Sequence, residues 1–406
     1  MPRMTRRAFA AATTALPSAT FAAGTRTIAN IDETLRSGIA NRQIPAVVAM
    51  AADRSKTLYS GAFGVRDPSG VPVGLDSIFR IASMTKAITT VAALQLVEQG
   101  KVNLDEPAAK HLPKLASLQV LEGFDSSGKP VLRPAKTQVT LRHLLTHTCG
   151  FCYGLWDEKA FRYDETKPSI ASGDPYPLMF EPGTRWQYGQ GVDWAGRLVE
   201  SLSQTTLEDY FQKKILGPLG MIDTSYILPE EKFGRLVSSY RRDATGVLQA
   251  NERKLPSRPK NFNGGGGLFS TAADYTRFMQ MILRRGAGPG STKILNPKTV
   301  QMMATNQIGS LGAGKMRSFD HDGSADVDMQ PGHTEGWGLG FLINTTAYAG
   351  GRSAGSLAWA GFDNTFYWID PKRERCGAIL MQFVPFVDRQ AIGLLSDFES
   401  SVYRNF

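Results

Sequence analysis

The chain has 406 residues, 42% apolar and 20% charged, with 41 Gly, 22 Pro and three Cys, proportions that exclude intrinsic disorder, collagen-like repeats and a disulfide scaffold. That length makes one large domain or two of ordinary size, and no low-charge stretch of the roughly 18–20 residues that span a bilayer is apolar enough to do so. The formal charge of +9 is dispersed, and its densest cluster (Arg241, Arg242, Arg253, Lys254, Arg258, Lys260) has none of the interleaved aromatics of a base-stacking groove. It reads as a solvated face, and no nucleic-acid partner is expected.

Residues 1–24 have the make-up of an export signal. Thr5-Arg6-Arg7-Ala8-Phe9 is a twin-arginine-like start, followed by an Ala-rich, acid-free run and small residues at Ala22-Ala23. The expectation is a periplasmic or secreted protein, with a disordered tail on a cytoplasmic protein as the alternative. Removing Arg3, Arg6 and Arg7 would leave a charge of +6.

Helical spacing then runs from Ile28 to Ile39, and Pro45 closes it. Two β-rich runs follow, 46–52 and 57–63, joined by the polar turn Asp53-Arg54-Ser55-Lys56. Met84 to Val97 is almost entirely apolar or small, so it predicts a buried helix that stops near Gly100. Between about 101 and 260, helical patches (141–146, 192–202, 207–214) alternate with Pro- and Gly-bearing loops. A further helix pattern starts at Leu268, strand-like runs occupy 338–344, 356–359, 365–369 and 377–383, and a last helix covers 391–403. Strands at both ends of the sequence with helices between them predict an α+β architecture. Residues 25–100 and 261–406 would make one α/β domain and 101–260 a mainly helical one.

Ser83-Met84-Thr85-Lys86 reads S-x-x-K. Ser126-Ser127-Gly128-Lys129 and Ser257-Arg258-Pro259-Lys260 match too, but the first falls in a Gly-Pro turn and the second contains Pro259. Only Ser83 opens a buried helix, where i, i+3 spacing sets Lys86 one turn on over the serine. A hydroxyl becomes a good nucleophile when a neighbouring base takes its proton. Lysine, with a free pKa of about 10.4, can be that base where burial and a positive helix end disfavour its ammonium. A capping serine beside a snorkelling lysine is the other reading of this motif alone.

Further segments decide between them. Pro182-Gly183-Thr184-Arg185-Trp186-Gln187-Tyr188-Gly189-Gln190, with a helix after it, is similar to the P-G-t-x-w-x-Y-s-N segment of the serine β-lactamase-like superfamily. Leu144-Leu145-Thr146-His147-Thr148-Cys149-Gly150 and Gly264 through Asp274 match as well. Over about 26–400 the chain resembles the esterases related to class C β-lactamases, the family VIII carboxylesterases. The resemblance implies an antiparallel sheet flanked by helices, an acyl-enzyme on Ser83 and no cofactor. Lys86 and Tyr188 would handle protons, and the backbone N–H groups of Ser83 and Phe362 would form the oxyanion hole. Gln190 stands where the family usually has Asn. Trp359-Ala360-Gly361 stands where β-lactamases carry K-T-G, so the lysine that holds a lactam carboxylate is replaced by a neutral ring. Gln190, Trp359, Gly361 and Tyr153 are the candidate substrate-binding residues, and a small-molecule ester is the expected substrate. A β-lactamase, a D-Ala-D-Ala peptidase, an acyltransferase and a non-catalytic binding relative are the alternatives.

Two other motifs are set aside. Gly351-Arg352-Ser353-Ala354-Gly355 matches the G-x-S-x-G elbow, but a strand follows it and the last histidine, His333, lies upstream. Cys149-Gly150-Phe151-Cys152 lacks the short βαβ context of a redox site, which leaves coincidence or a local disulfide. The five histidines show no ligand spacing, so no metal is expected.

Overall fold

The computed structural model describes residues 29–166 and 175–406; the expected export signal lies outside them. The first helix, α1 (Ala29–Arg42), leads into β1 (Ala46–Asp53) and β2 (Thr57–Gly64). The buried helix α2 (Thr85–Glu98) follows, entered through a 3₁₀ turn at Ala82–Met84. After α3 (Gly191–Ser203) and α4 (Ala272–Leu283) come the strands β3 (Gly336–Trp337), β4 (Leu342–Ile343), β5 (Leu357–Gly361), β6 (Thr365–Asp370) and β7 (Arg375–Leu380). Helix α5 (Arg389–Asn405) ends the chain.

These strands form one seven-stranded sheet in the order β3-β4-β5-β6-β7-β1-β2. Every pairing is antiparallel, and Val48 of β1 sits opposite Leu380 of β7. The N-terminal hairpin therefore completes a sheet made by the C-terminal third. Residues 101–260 contribute no strand to this sheet among the described residues.

Strands β1 and β6 are buried on both faces because they are apolar at odd and even positions alike, whereas the edge strand β2 is only partly buried. In β6, Tyr367 packs against Tyr275 of α4 on one face, with ring centroids 5.0 Å apart. Its neighbour Trp368 packs against Phe398 of α5 on the other, at 5.6 Å. The period of two in a strand sends adjacent side chains to opposite layers. Helix α2 lies against α3 and is buried along nearly its whole length, so the S-x-x-K helix is itself a core element.

Four local expectations change. The run 338–344 is not one strand: Gly338 N–H donates to the Phe341 carbonyl at 2.8 Å and Gly340 has φ +81°, so a tight turn separates β3 from β4. The helix expected from Leu268 starts at Ala272, capped by Thr271, after a short strand at Phe269–Ser270. The region 101–260 also holds a β-hairpin, Gln119–Phe124 with Pro130–Pro134, whose tip carries the Ser126-to-Lys129 match. The basic cluster is only partly solvated, since Arg242 pairs with the buried Asp388 at 2.7 Å and Arg253 lies over Phe233 and donates to nearby carbonyls.

Candidate active site

Ser83 sits in the 3₁₀ turn that feeds α2, half-buried at the positive end of that helix. Ala82, just before it, has φ +42°, a left-handed conformation costing a non-glycine residue about 1–2 kcal/mol. Flanking bonds hold the turn in place: Ile81 N–H to the Leu268 carbonyl, and Met84 N–H to the Ile81 carbonyl, both at 3.0 Å. The strand end at Gly361 closes against the same turn. A β-carbon at Gly361 would lie 2.3 Å from the Ile81 carbonyl oxygen, so only glycine lets β5 come this close. Phe362, in the turn after β5, thereby follows directly on the segment that backs Ser83.

Lys86 is 1% exposed. Its Nζ reaches Ser83 Oγ at 3.1 Å, Tyr153 Oη at 3.2 Å and the Gly265 carbonyl at 2.7 Å. All three partners are neutral oxygens. An ammonium fills them with its three protons. A neutral amine keeps two of these bonds and turns its lone pair toward the serine hydroxyl. A proton can thus pass from Ser83 to Lys86 with no other hydrogen bond rearranged.

Tyr188 is buried beside this pair, with Lys86 Nζ 4.8 Å from its ring centroid. Its hydroxyl accepts a hydrogen bond from Trp359 Nε1 at 3.2 Å. Trp359 is itself wedged between Tyr188 and Trp337, with centroids 4.8 Å from each. Gln190 caps α3 through its backbone, its N–H on the Phe151 carbonyl, and its side chain is half-buried.

Tyr153, expected only as a wall, touches Lys86 directly. Burial, with the Asp193 carboxylate beside it, pushes its phenol well above the ordinary value, so it stays protonated. It donates to Asp193 Oδ2 at 3.4 Å, and Asp193 Oδ1 accepts from Gly265 N–H at 2.9 Å. The sequence reading missed Asp193 and Gly265. Asp193 lies five residues after Tyr188, in the first turn of α3. Gly265 belongs to the Gly264–Gly267 run, and the density of that run was the one available signal.

His147 completes the back wall, 4.6 Å from Tyr188 and 4.9 Å from Trp337 by ring centroids. Burial and the nearby Lys86 hold its pKa well below the usual histidine value, and its Nδ1 accepts from Gly189 N–H at 3.3 Å. Cys149 and Cys152 are free, buried thiols. Burial pushes Cys149 up to about 12, and Cys152 rises too. Ser353, the elbow serine, is far from this arrangement in role: its N–H is on Asp370 at 2.8 Å, and the next residues run into β5 rather than a helix. No group of three or more potential metal ligands occurs among the described residues.

The fold is that of the serine β-lactamase-like acyl-transfer enzymes and hydrolases, and it carries a serine and a lysine one helical turn apart at the start of α2. The chain belongs to the Beta-lactamase family, whose model matches residues 31–396. It is 32% identical to the monacolin J acid methylbutanoyltransferase of Aspergillus terreus, over 93% of this chain and 95% of that one. It is also 32% identical to the lovastatin esterase of Penicillium rubens, over 93% and 98%. Unliganded simvastatin synthase from Aspergillus terreus superposes with a TM-score of 0.81 at 30% identity, covering 93% of this chain and 98% of that one. The relatives thus include both acyltransferases and an esterase, and acyl transfer is the chemistry common to them.

Proposed function

We propose that the protein is a serine carboxylesterase that cleaves esters of small to medium acyl groups through an acyl-enzyme on Ser83. The observation that carries this reading is the 3.1 Å contact of Lys86 Nζ with Ser83 Oγ, made by a buried lysine whose other partners are neutral oxygens. In this reading Ser83 Oγ attacks the acyl carbon as its proton passes to Lys86. The backbone N–H groups of Ser83 and Phe362 receive the oxyanion. Tyr188, polarised by Trp359, then delivers a proton to the departing alkoxide, and water reverses the sequence to free the acid. Tyr153, kept protonated, positions Lys86. Trp359 supports ester over lactam, because it offers an anionic lactam no charge to pair with.

Acyl transfer to an alcohol is the second reading, favoured by the 32% identity to a methylbutanoyltransferase over 93% of the chain. The two share the acyl-enzyme and differ only in whether water or an alcohol takes the acyl group. One assay separates them: p-nitrophenyl butanoate with and without a secondary alcohol, beside a chromogenic cephalosporin. Fast release of nitrophenol with butanoic acid as product supports the esterase. Faster release when alcohol is added, with an ester product, transfers the assignment to the acyltransferase. Preferential cephalosporin turnover would overturn both.

A further inference from the structure

The G-x-S-x-G loop, which the site around Ser83 leaves unused, borders a cavity of about 390 Å³ together with the 370–375 turn and the end of α5. Four cationic residues line it, Arg352, Lys372, Arg373 and Arg404, and no carboxylate does. Arg352 is neutralised by Glu399, which it grips with two nitrogens, Nε at 2.9 Å and Nη2. The other three have no such partner among the described residues. Arg404 donates to Ser401 Oγ at 2.9 Å and Arg373 lies over the Tyr403 ring at 5.1 Å. Neither Lys372 nor Arg373 makes an ion pair among the described residues.

The acids nearby are already engaged. Asp370 accepts from the N–H groups of Ser353, Lys372 and Arg373 and from the Tyr403 hydroxyl, and Glu374 pairs with Arg54. A second cavity of about 390 Å³ shares Tyr348 and Arg352 with the first. Its own walls join the apolar Met329, Pro331, Ile392 and Leu395 to the polar Gln330 and His333. Three cations against the single carboxylate of Asp370, which is held by neutral donors, leave an excess of positive charge beside this second cavity.

We infer that these joined cavities form a second binding site, for a small molecule that carries a phosphate or carboxylate group on an apolar chain. Guanidinium groups present planar forks that match such oxyanions, and the anion would relieve the mutual repulsion of Lys372, Arg373 and Arg404. The apolar walls of the second cavity would take the chain. The site is separate from Ser83: β6 runs from Thr365, opposite Gly361, to Asp370 at the far end, about 16 Å at the usual rise per residue.

The test uses the full chain with Ser83 blocked by a phosphonate, so that binding at the reactive serine is removed. Octyl phosphate, inorganic phosphate and 1-octanol are titrated separately by calorimetry into this protein, into its K372Q/R373Q form and into its R404Q form. The expected result is one saturable site for octyl phosphate, weakened at least tenfold in K372Q/R373Q and several-fold in R404Q, with both phosphate alone and octanol binding more weakly. Lys372, Arg373 and Arg404 are exposed, so the variants keep the fold, and their thermal melts check this. No binding, or affinity unchanged in both variants, overturns the site. Inorganic phosphate binding as tightly as octyl phosphate removes the part of the apolar walls and overturns the proposal as stated.

Discussion

Two regions of this molecule bring a serine, a cation and a serine-bearing motif together, and only one of them is arranged for chemistry. At Ser83 the cation is a lysine whose hydrogen bonds all end on neutral oxygens, one of them the serine's own hydroxyl. At Ser353 the cation is Arg352, clamped by Glu399 with both side chains 5% exposed. Arginine does not deprotonate in proteins, and a carboxylate partner fixes its charge further. The contrast teaches that a motif acquires reactivity from what its cation lacks as much as from what it touches. The first region stores strain at Ala82 and leaves its nucleophile half-open; the second is a structural clasp.

The sharpest way to break this comparison is to delete each serine. Ser83→Ala should lower kcat for a p-nitrophenyl ester by on the order of 10⁴-fold or more and abolish phosphonate labelling by mass spectrometry. Ser353→Ala should leave both within about twofold. Lys86→Ala and Tyr188→Phe should each lower kcat by on the order of 10²–10⁴-fold, and the double variant should be little worse than the poorer single, because groups acting as one unit are non-additive. Additive losses would mean the two residues act separately.

The clasp gives the opposite signature. Glu399→Gln leaves Arg352 buried and unpaired, so stability to urea should fall by about 3–5 kcal/mol while kcat per folded molecule holds. A loss of kcat instead would move Arg352 and Glu399 into the reactive region. A smaller effect tests the indole donor: Trp359→Phe keeps a ring against Tyr188 but removes the 3.2 Å hydrogen bond, and kcat should drop roughly tenfold, about 1.4 kcal/mol. An unchanged kcat would reduce Trp359 to packing.

The smallest effect is in pH. His147 has a folded pKa well below its unfolded value near 6.5, so below that value the unfolded chain binds a proton the folded chain does not. Its share of stability is present above pH 6.5 and is lost as pH falls toward the folded pKa, with a slope of at most about 1.4 kcal/mol per pH unit. Replacing His147 with Gln should flatten the stability profile between pH 6.5 and 5 in denaturant titrations.

Much of the reactive region was legible in sequence because its signals are local. Ser83 and Lys86 are one helical turn apart, most of α2 is apolar or small, and Tyr188 follows a Pro-Gly turn and precedes a helix. The strands of the central sheet, 46–53, 57–64, 357–361 and 365–370, were legible from apolar runs bounded by turn residues. What escaped is long-range or backbone-borne. Gly265 holds Lys86 through a carbonyl 179 positions away, and no side-chain pattern encodes a carbonyl contact. Asp193 reads as an ordinary first-turn acid until Tyr153, 40 positions earlier, is seen on it. The 119–134 hairpin escaped because its burial is uneven, with Val131 and Leu132 exposed, so no clean alternation marks it. The break at Gly340 hides inside an apolar run that looks continuous.

The closure of the sheet by both ends of the chain bears on how the protein is made. Ala52 of β1 meets Cys376 of β7 across 324 positions, so the N-terminal hairpin leaves the ribosome long before the strand it must join. Throughout that interval β1 presents an unpaired, almost wholly apolar edge, the kind of surface that recruits other chains. Contacts of such separation also slow folding, since loop-closure entropy is lost before the pairing can compensate it. Synthesis of this enzyme therefore has a vulnerable period that ends only when β7 emerges, and its yield in a cell should depend on chaperone supply during that period more than on the stability of the finished molecule.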